Sequence, residues 1–219
     1  MNVSYSHQFV LNMRNLIPVF ICLFSFTLSA QEIKKENLTR KQSIFWDFLR
    51  TQVQGTGSYY QDELGETTEK HGKWLYFDRE GQLEEERNYY RDKLAGKVVL
   101  YYPNKKLKQE GYFKRDVQDS TYREWYENGN LKLETEVLYD KKTKNSLTKI
   151  INYWYTNKEQ KVINGEGEYE EIETIPNSNS AKFSVKSSGK IKNYVKDGLW
   201  KGKSEKPSYT FYEQFENGK

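Results

Sequence analysis

The chain has 219 residues, room for one or two ordinary domains, and is 36% hydrophobic, 16% aromatic and 30% charged. Eighteen Tyr, eleven Phe and five Trp exclude a disordered chain, while the shortage of aliphatic residues argues against a thick doubly wound core and for thin sheets with a wet face. Thirty-five Lys and Arg against 31 Asp and Glu leave a net charge of +4, without the clustered basic surface of a nucleic-acid binder.

Residues 16–26 (LIPVFICLFSF) form an apolar run preceded by Arg14 and followed by Thr27-Leu28-Ser29-Ala30. This is the pattern of a secretory signal, too short for a spanning helix, which needs about 20 apolar residues. Cleavage is expected between Ala30 and Gln31, and Met13 makes a tighter start than Met1. The expected mature chain is exported, to the periplasm, the cell surface or the exterior, without stable membrane insertion. The single cysteine, Cys22, and His7 leave with the signal, so disulfides, zinc thiolates and a Cys nucleophile are not expected and His71 is the one mature histidine. No cofactor and no metal are expected. Residues 31–41 read as a linker.

From residue 42 onward a repeat dominates. Stretches beginning at Gly72, Gly96 and Ser120 align without gaps at a spacing of 24 residues. Trp74, Val98 and Tyr122 correspond, as do Phe77, Tyr101 and Trp125, then Leu83, Leu107 and Leu131, then Glu86, Glu110 and Glu134. Tyr89, Phe113 and Val137 follow, then Asp92, Asp116 and Asp140. Recurrence of six position classes at one period marks a repeat architecture. Residues 42–62 fit the same frame when shifted by 30, with Ile44 on Trp74, Trp46 on Tyr76, Val53 on Leu83, Tyr59 on Tyr89 and Asp62 on Asp92, and residues 63–70 left as a polar connector. An amphipathic helix over 39–53 competes there through Phe45, Phe48 and Leu49. Further copies are expected near 120–150, 151–197 and 198–219, the last two interrupted, after copies near 42–71, 72–95 and 96–119.

Each unit reads as a hairpin. Trp74 and Tyr76 alternate with Leu75 and Phe77, Gly81 and Asn128-Gly129 mark turns, and Lys105 stands where those turns want glycine. Strict alternation puts Leu83, Glu85, Arg87 and Tyr89 on one face of the return strand. Such hairpins are too small to stand alone and must stack, in rows of Leu83, Leu107, Leu131 and of Tyr89, Phe113, Val137. The recurring glutamates would lie about 10 Å apart, too far to share a metal, and read as a solvated row beside Arg87, Lys108 and Lys132. The recurring aspartates suit turns, where Asp bonds its own following backbone. The fold class expected is all-β, an elongated meandering antiparallel sheet of tandem hairpins, with a short N-terminal helix as the one competing element.

The sequences Gly72-Lys-Trp74-x-Tyr76-Phe77-x3-Gly81-x-Leu83 and Trp125-Tyr126-Glu-Asn128-Gly129-x-Leu131 resemble bacterial MORN-type repeats, in the variant found in antitoxin-like repeat proteins and exported envelope proteins. The resemblance covers about residues 42–218 and implies an array of hairpins with an interaction role and no catalysis. By this pattern a Leu is expected two residues after Gly218, so the last hairpin stops short at Lys219: either the chain is truncated, or its edge strand is left exposed to pairing with another chain.

The function expected is therefore an exported repeat scaffold, not an enzyme, binding a protein or glycan of the cell envelope through an aromatic sheet face, with Tyr76, Tyr101, Tyr126 and Trp154 as candidate contacts. Nucleic acid is not expected as a partner. An antitoxin or immunity protein that neutralises a toxin by direct binding is the alternative. An enzyme would have to draw on Glu168, Glu170 and Glu171, yet no nucleophile motif or phosphate loop accompanies them.

Overall fold

The computed structural model describes residues 38–140, 145–176, 182–205 and 208–219; the signal segment lies outside them. The described residues contain no helix. They form one open sheet of fourteen antiparallel strands in strict sequence order. The strands are β1 (Gln42–Phe45), β2 (Val53–Asp62), β3 (Gly65–Phe77), β4 (Leu83–Tyr90), β5 (Lys93–Tyr101), β6 (Leu107–Lys114), β7 (Val117–Trp125), β8 (Leu131–Asp140), β9 (Asn145–Trp154), β10 (Gln160–Ile163), β11 (Glu166–Pro176), β12 (Lys182–Lys192), β13 (Val195–Glu205) and β14 (Ser208–Phe215). The competing N-terminal helix is replaced by β1 and the turn after it. The polar connector at 63–70 shrinks to a two-residue turn, because residues 65–70 extend β3. The stretch read as one copy over 151–197 holds the end of β9 and all of β10, β11 and β12.

Two kinds of turn alternate. At the hairpin tips the loop is three residues long and ends in a left-handed residue: Gly81, Lys105, Gly129 and Lys158 all have positive φ and donate their amides three residues back, to Asp78, Tyr102, Tyr126 and Tyr155. Lys105 keeps this turn at φ 64°, so it bears the strain that glycine avoids. Between hairpins, two successive residues take positive φ, at Arg91-Asp92, Arg115-Asp116, Asn164-Gly165 and Asn193-Tyr194. This is the two-residue turn whose twist matches that of the strands.

A bulge recurs beside each of the four tips just described. Phe77 faces Leu83 but Tyr76 faces Glu85, and Tyr101 faces Leu107 but Leu100 faces Gln109. Trp125 faces Leu131 while Glu124 faces Leu133. One residue of each return strand (Glu84, Lys108, Lys132) is thus extra, and the alternation changes phase there. Strict alternation consequently fails at this point. Leu83, Leu107 and Leu131 lie on the face of Phe77, Tyr101 and Trp125, opposite to Tyr89, Phe113 and Val137. Both rows remain in register from copy to copy.

The first copy also aligns differently from the expectation. Ile44 pairs with Gly55 and Phe45 with Val53, so Ile44 and Phe45 occupy the places of Tyr76 and Phe77. Trp46 then sits at the tip position of Asp78, because the β1–β2 turn is two residues longer. Val53 and Tyr59 keep the expected correspondence, whereas Asp62 ends β2 opposite Gly65 and Asp92 lies in the turn.

One face of the sheet carries the core. Trp74, Tyr89, Val98, Leu133, Val137, Ile150, Tyr153, Val162, Ile191 and Trp200 are buried there. Its glycines make room for rings: a Cβ on Gly57 or Gly189 would lie 2.4 Å from the indole of Trp74 or Trp200. β10 has only four residues, and across it the sheet curls toward the core face. Leu133, Ile150, Tyr153, Val162, Ile191 and Trp200 thereby meet in one cluster, with Tyr155, Tyr169 and Phe215 against it. The Ile150 amide donates to the Tyr194 carbonyl at 2.8 Å, joining β9 to the β12–β13 turn.

Candidate functional site

The core face spends its aromatic rings on packing. Tyr76 stacks on Trp74 with centroids 6.1 Å apart, and its hydroxyl shares a hydrogen bond of 3.1 Å with that of Tyr89 and accepts one of 2.9 Å from Lys70. The Arg87 guanidinium lies 4.9 Å from its ring centroid. Burial pushes the Tyr76 and Tyr89 phenols above their ordinary value. Tyr126 belongs to a row at the hairpin tips: its hydroxyl donates to the Trp154 carbonyl at 2.8 Å, as that of Tyr102 does to Trp125 and the indole N–H of Trp46 to Phe77 at 3.2 Å. Each tip side chain thus holds the next hairpin. Burial also raises the phenols of Tyr122, Tyr153 and Tyr169 far out of the physiological range.

The outer face is arranged differently. Phe45 and Val53, Phe77 and Leu83, Tyr101 and Leu107, and Trp125 and Leu131 are directly opposed pairs on neighbouring strands. Trp154 opposite Gln160 continues the series. These side chains form an apolar stripe across nine strands, about 38 Å at ~4.8 Å per strand. Every aromatic in it is only half-buried. Of the four residues singled out from sequence, Tyr101 and Trp154 lie on this stripe, whereas Tyr76 and Tyr126 lie on the core side. The four do not converge on one surface. Phe77 and Trp125 complete the stripe. The alignment already grouped them with Tyr101, and that position class was the available signal.

Beside the stripe runs a polar ladder built on the recurring glutamates. Lys73 pairs with Glu86, which also accepts from the Tyr101 hydroxyl at 3.0 Å. Glu110 meets Lys97 at 2.7 Å and Arg123 at 3.5 Å, and Arg123 reaches Glu134 at 2.8 Å. Asn152 donates to Glu134 at 2.9 Å. The partners are therefore Lys73, Lys97 and Arg123, rather than Arg87, Lys108 and Lys132. Arg87 pairs with Glu85 and Lys132 with Glu124, while Lys108 lies over the Tyr102 ring. The bulge explains the exchange, since it carries Lys108 and Lys132 to the core side. Burial works against the charge on Glu86 and Glu134. Hydrogen bonds from Lys73 and Tyr101 to the first, and from Asn152 and Arg123 to the second, outweigh it and hold both below the usual carboxylate range. With cations standing between the glutamates, the row has no shared metal position, and no metal-binding cluster of His, Cys, Asp or Glu occurs among the described residues.

The aspartates act at longer range than expected. Asp92 accepts the Lys70 amide at 2.7 Å and returns its own amide to the Lys70 carbonyl; Asp116 does the same with Leu94. Each clips an inter-hairpin turn to a strand 22 residues earlier. Asp62 follows the local rule, accepting from the Leu64 amide, and the side chain of Asp140 lies outside the described residues.

An open sheet of in-phase hairpins with a repeated ring, glycine and leucine pattern defines a β-repeat protein. Residues 70–89, 94–115 and 118–138 match the MORN repeat variant family. These segments correspond to β3–β4, β5–β6 and β7–β8, so the regular central section is similar to MORN-type repeats. No curated relative matches the chain.

Proposed function

We propose that the protein is an exported, non-catalytic scaffold that holds a protein partner in the cell envelope on its outer face. The observation that carries this reading is the half-buried aromatic and leucine stripe, repeated in phase over Phe77, Tyr101, Trp125 and Trp154. A row of rings and aliphatics flanked by ordered charge is suited to a protein interface, whose anchors are aromatic and whose rim is polar. The run at 16–30 supports export. Capture from envelope extracts with residues 31–219, compared between the wild type and a Tyr101→Arg/Leu131→Arg variant, tests the interface. Loss of the captured partner with an unchanged unfolding transition is expected; capture that survives both substitutions rejects the stripe. Export is tested by fractionating cells that express the full chain, where retention in the cytoplasm rejects it.

A further inference from the structure

The shortness of β10 leaves one strand edge open inside the sheet. β10 pairs with β9 only at Tyr153 and Trp154. From Asn145 to Ile150, β9 therefore has β8 on one side and no strand on the other among the described residues. The register fixes which backbone groups face that side. Ile150 gives its amide to Tyr194, so it does not give it to Thr135, its partner on β8. Bonded and non-bonded pairs alternate along an antiparallel ladder. Thr148, opposite Val137, and Ser146, opposite Tyr139, consequently also turn their N–H and C=O groups away from β8. Four backbone groups are presented in a row, and Ser146, Leu147 and Thr148 are exposed.

The same residues form the lip of a trough on the core face, with a volume of about 560 Å³, walled by Tyr122, Leu133, Ile150 and Tyr169. That volume falls within the roughly 300–1,000 Å³ of small binding sites. Glu171 and Lys196 at its far side are paired with each other, so the trough presents no unpaired charge from them. We infer that the open edge of β9 is a strand-addition site. An extended peptide of a protein partner pairs with Ser146 and Thr148 and places an uncharged, apolar side chain in the trough. The molecule already makes the first rung of such a pairing, since the Tyr194 carbonyl sits on the Ile150 amide where an added strand's carbonyl would sit. Backbone bonds supply the affinity in this mode and alternate side chains supply the choice of partner. The site lies on the side of the sheet opposite to the aromatic stripe and does not depend on it.

The probe is a random decapeptide library displayed on phage and selected against residues 31–219. Enriched peptides are expected to share one apolar residue at a fixed place. N-methylation of alternate backbone positions in them should weaken binding about tenfold or more. Thr148→Pro should do the same, because it removes an outward N–H and leaves the β8 bonds of Leu147 and Lys149 intact. Should that variant fail to fold, amide exchange in the wild type decides: bound peptide should slow exchange at Ser146 and Thr148. Absence of an enriched family, or peptides that bind while exchange at these two amides is unchanged, overturns the inference.

Discussion

Trp74 and Trp200 occupy the same place in two hairpins more than a hundred residues apart, and their immediate surroundings agree in detail. Each indole lies on a glycine of the neighbouring strand and donates its N–H to the carbonyl one residue further on, to Ser58 at 2.8 Å and to Lys190 at 3.2 Å. Each has a lysine four residues earlier over its ring, Lys70 at 5.0 Å and Lys196 at 4.4 Å. Beyond that shell the two differ. Trp74 is flanked by Tyr59 of the adjacent strand β2 and by Tyr76 of its own strand. Trp200 belongs to the cluster that gathers Leu133, Ile150 and Tyr153 from strands distant in the sheet. One local motif thus serves two kinds of order. In the regular section each hairpin leans on the next. In the section after residue 145 the sheet curls over and builds a core.

The strongest separation of the two regimes should come from removing the indoles. Trp200→Ala and Trp74→Ala should each cost about 3–5 kcal/mol. In hydrogen exchange the first should open β8 through β14 together, whereas the second should expose only β1 through β4. Equal spread of the two effects would erase the distinction. Next in size, a methyl group at Gly189 or Gly57 would force the indole out of place, with an expected loss of about 1–3 kcal/mol read by thermal or urea unfolding. Acid should then act chiefly on the regular section. Glu86 and Glu134 are held below their ordinary range in the folded chain, so the unfolded chain takes up protons first as pH falls. Their contribution is complete above the unfolded carboxylate value, about 4.3, and is lost as pH falls through the lowered folded values. A melting-temperature profile below pH 5 should be flatter for Glu86→Gln/Glu134→Gln than for the wild type. His71 adds a milder effect nearer neutrality. Burial between Tyr60 and Tyr90, with Arg91 beside it, lowers its pKa, and its Nδ1 accepts the Arg91 amide. Stability should therefore decline as pH falls below the unfolded histidine value of about 6.5, a slope that His71→Asn should remove. The smallest effect expected is a gain. Ser120 holds at φ 63° the place that Gly72 and Gly96 take in other copies, and Lys105 holds a tip glycine's place. Ser120→Gly and Lys105→Gly should each raise stability by roughly 1 kcal/mol.

Much of the regular section was legible in the sequence. The 24-residue period, the tip turns and the in-register rows all follow from which residues recur. The bulge was not, because an extra residue changes which face a leucine occupies without changing its spacing from the next copy. The face of Leu83 and the partners of the glutamates depended on it, whereas the opposite sides taken by Tyr76 and Tyr101 follow from alternation along the outgoing strands. The aspartate clips were hidden for a related reason: a carboxylate that caps a turn locally and one that reaches back 22 residues leave the same letter at the same place. After residue 145 the repeat still showed in Gly198-Leu199-Trp200, but a four-residue strand has too little pattern to reveal that the sheet bends across it.

The clips and the tip side chains have a mechanical meaning. Asp92 to Lys70, Asp116 to Leu94, Tyr102 to Trp125 and Tyr126 to Trp154 each bridge past the strand next in line. A strand pulled from one end cannot be peeled away singly, since its neighbour but one is latched to it. Stretched between its termini, the central section should yield in discrete steps, each paying out one 24-residue unit or about 80–85 Å of extended chain, so that it behaves as a ratcheted tether rather than as an unzipping ribbon.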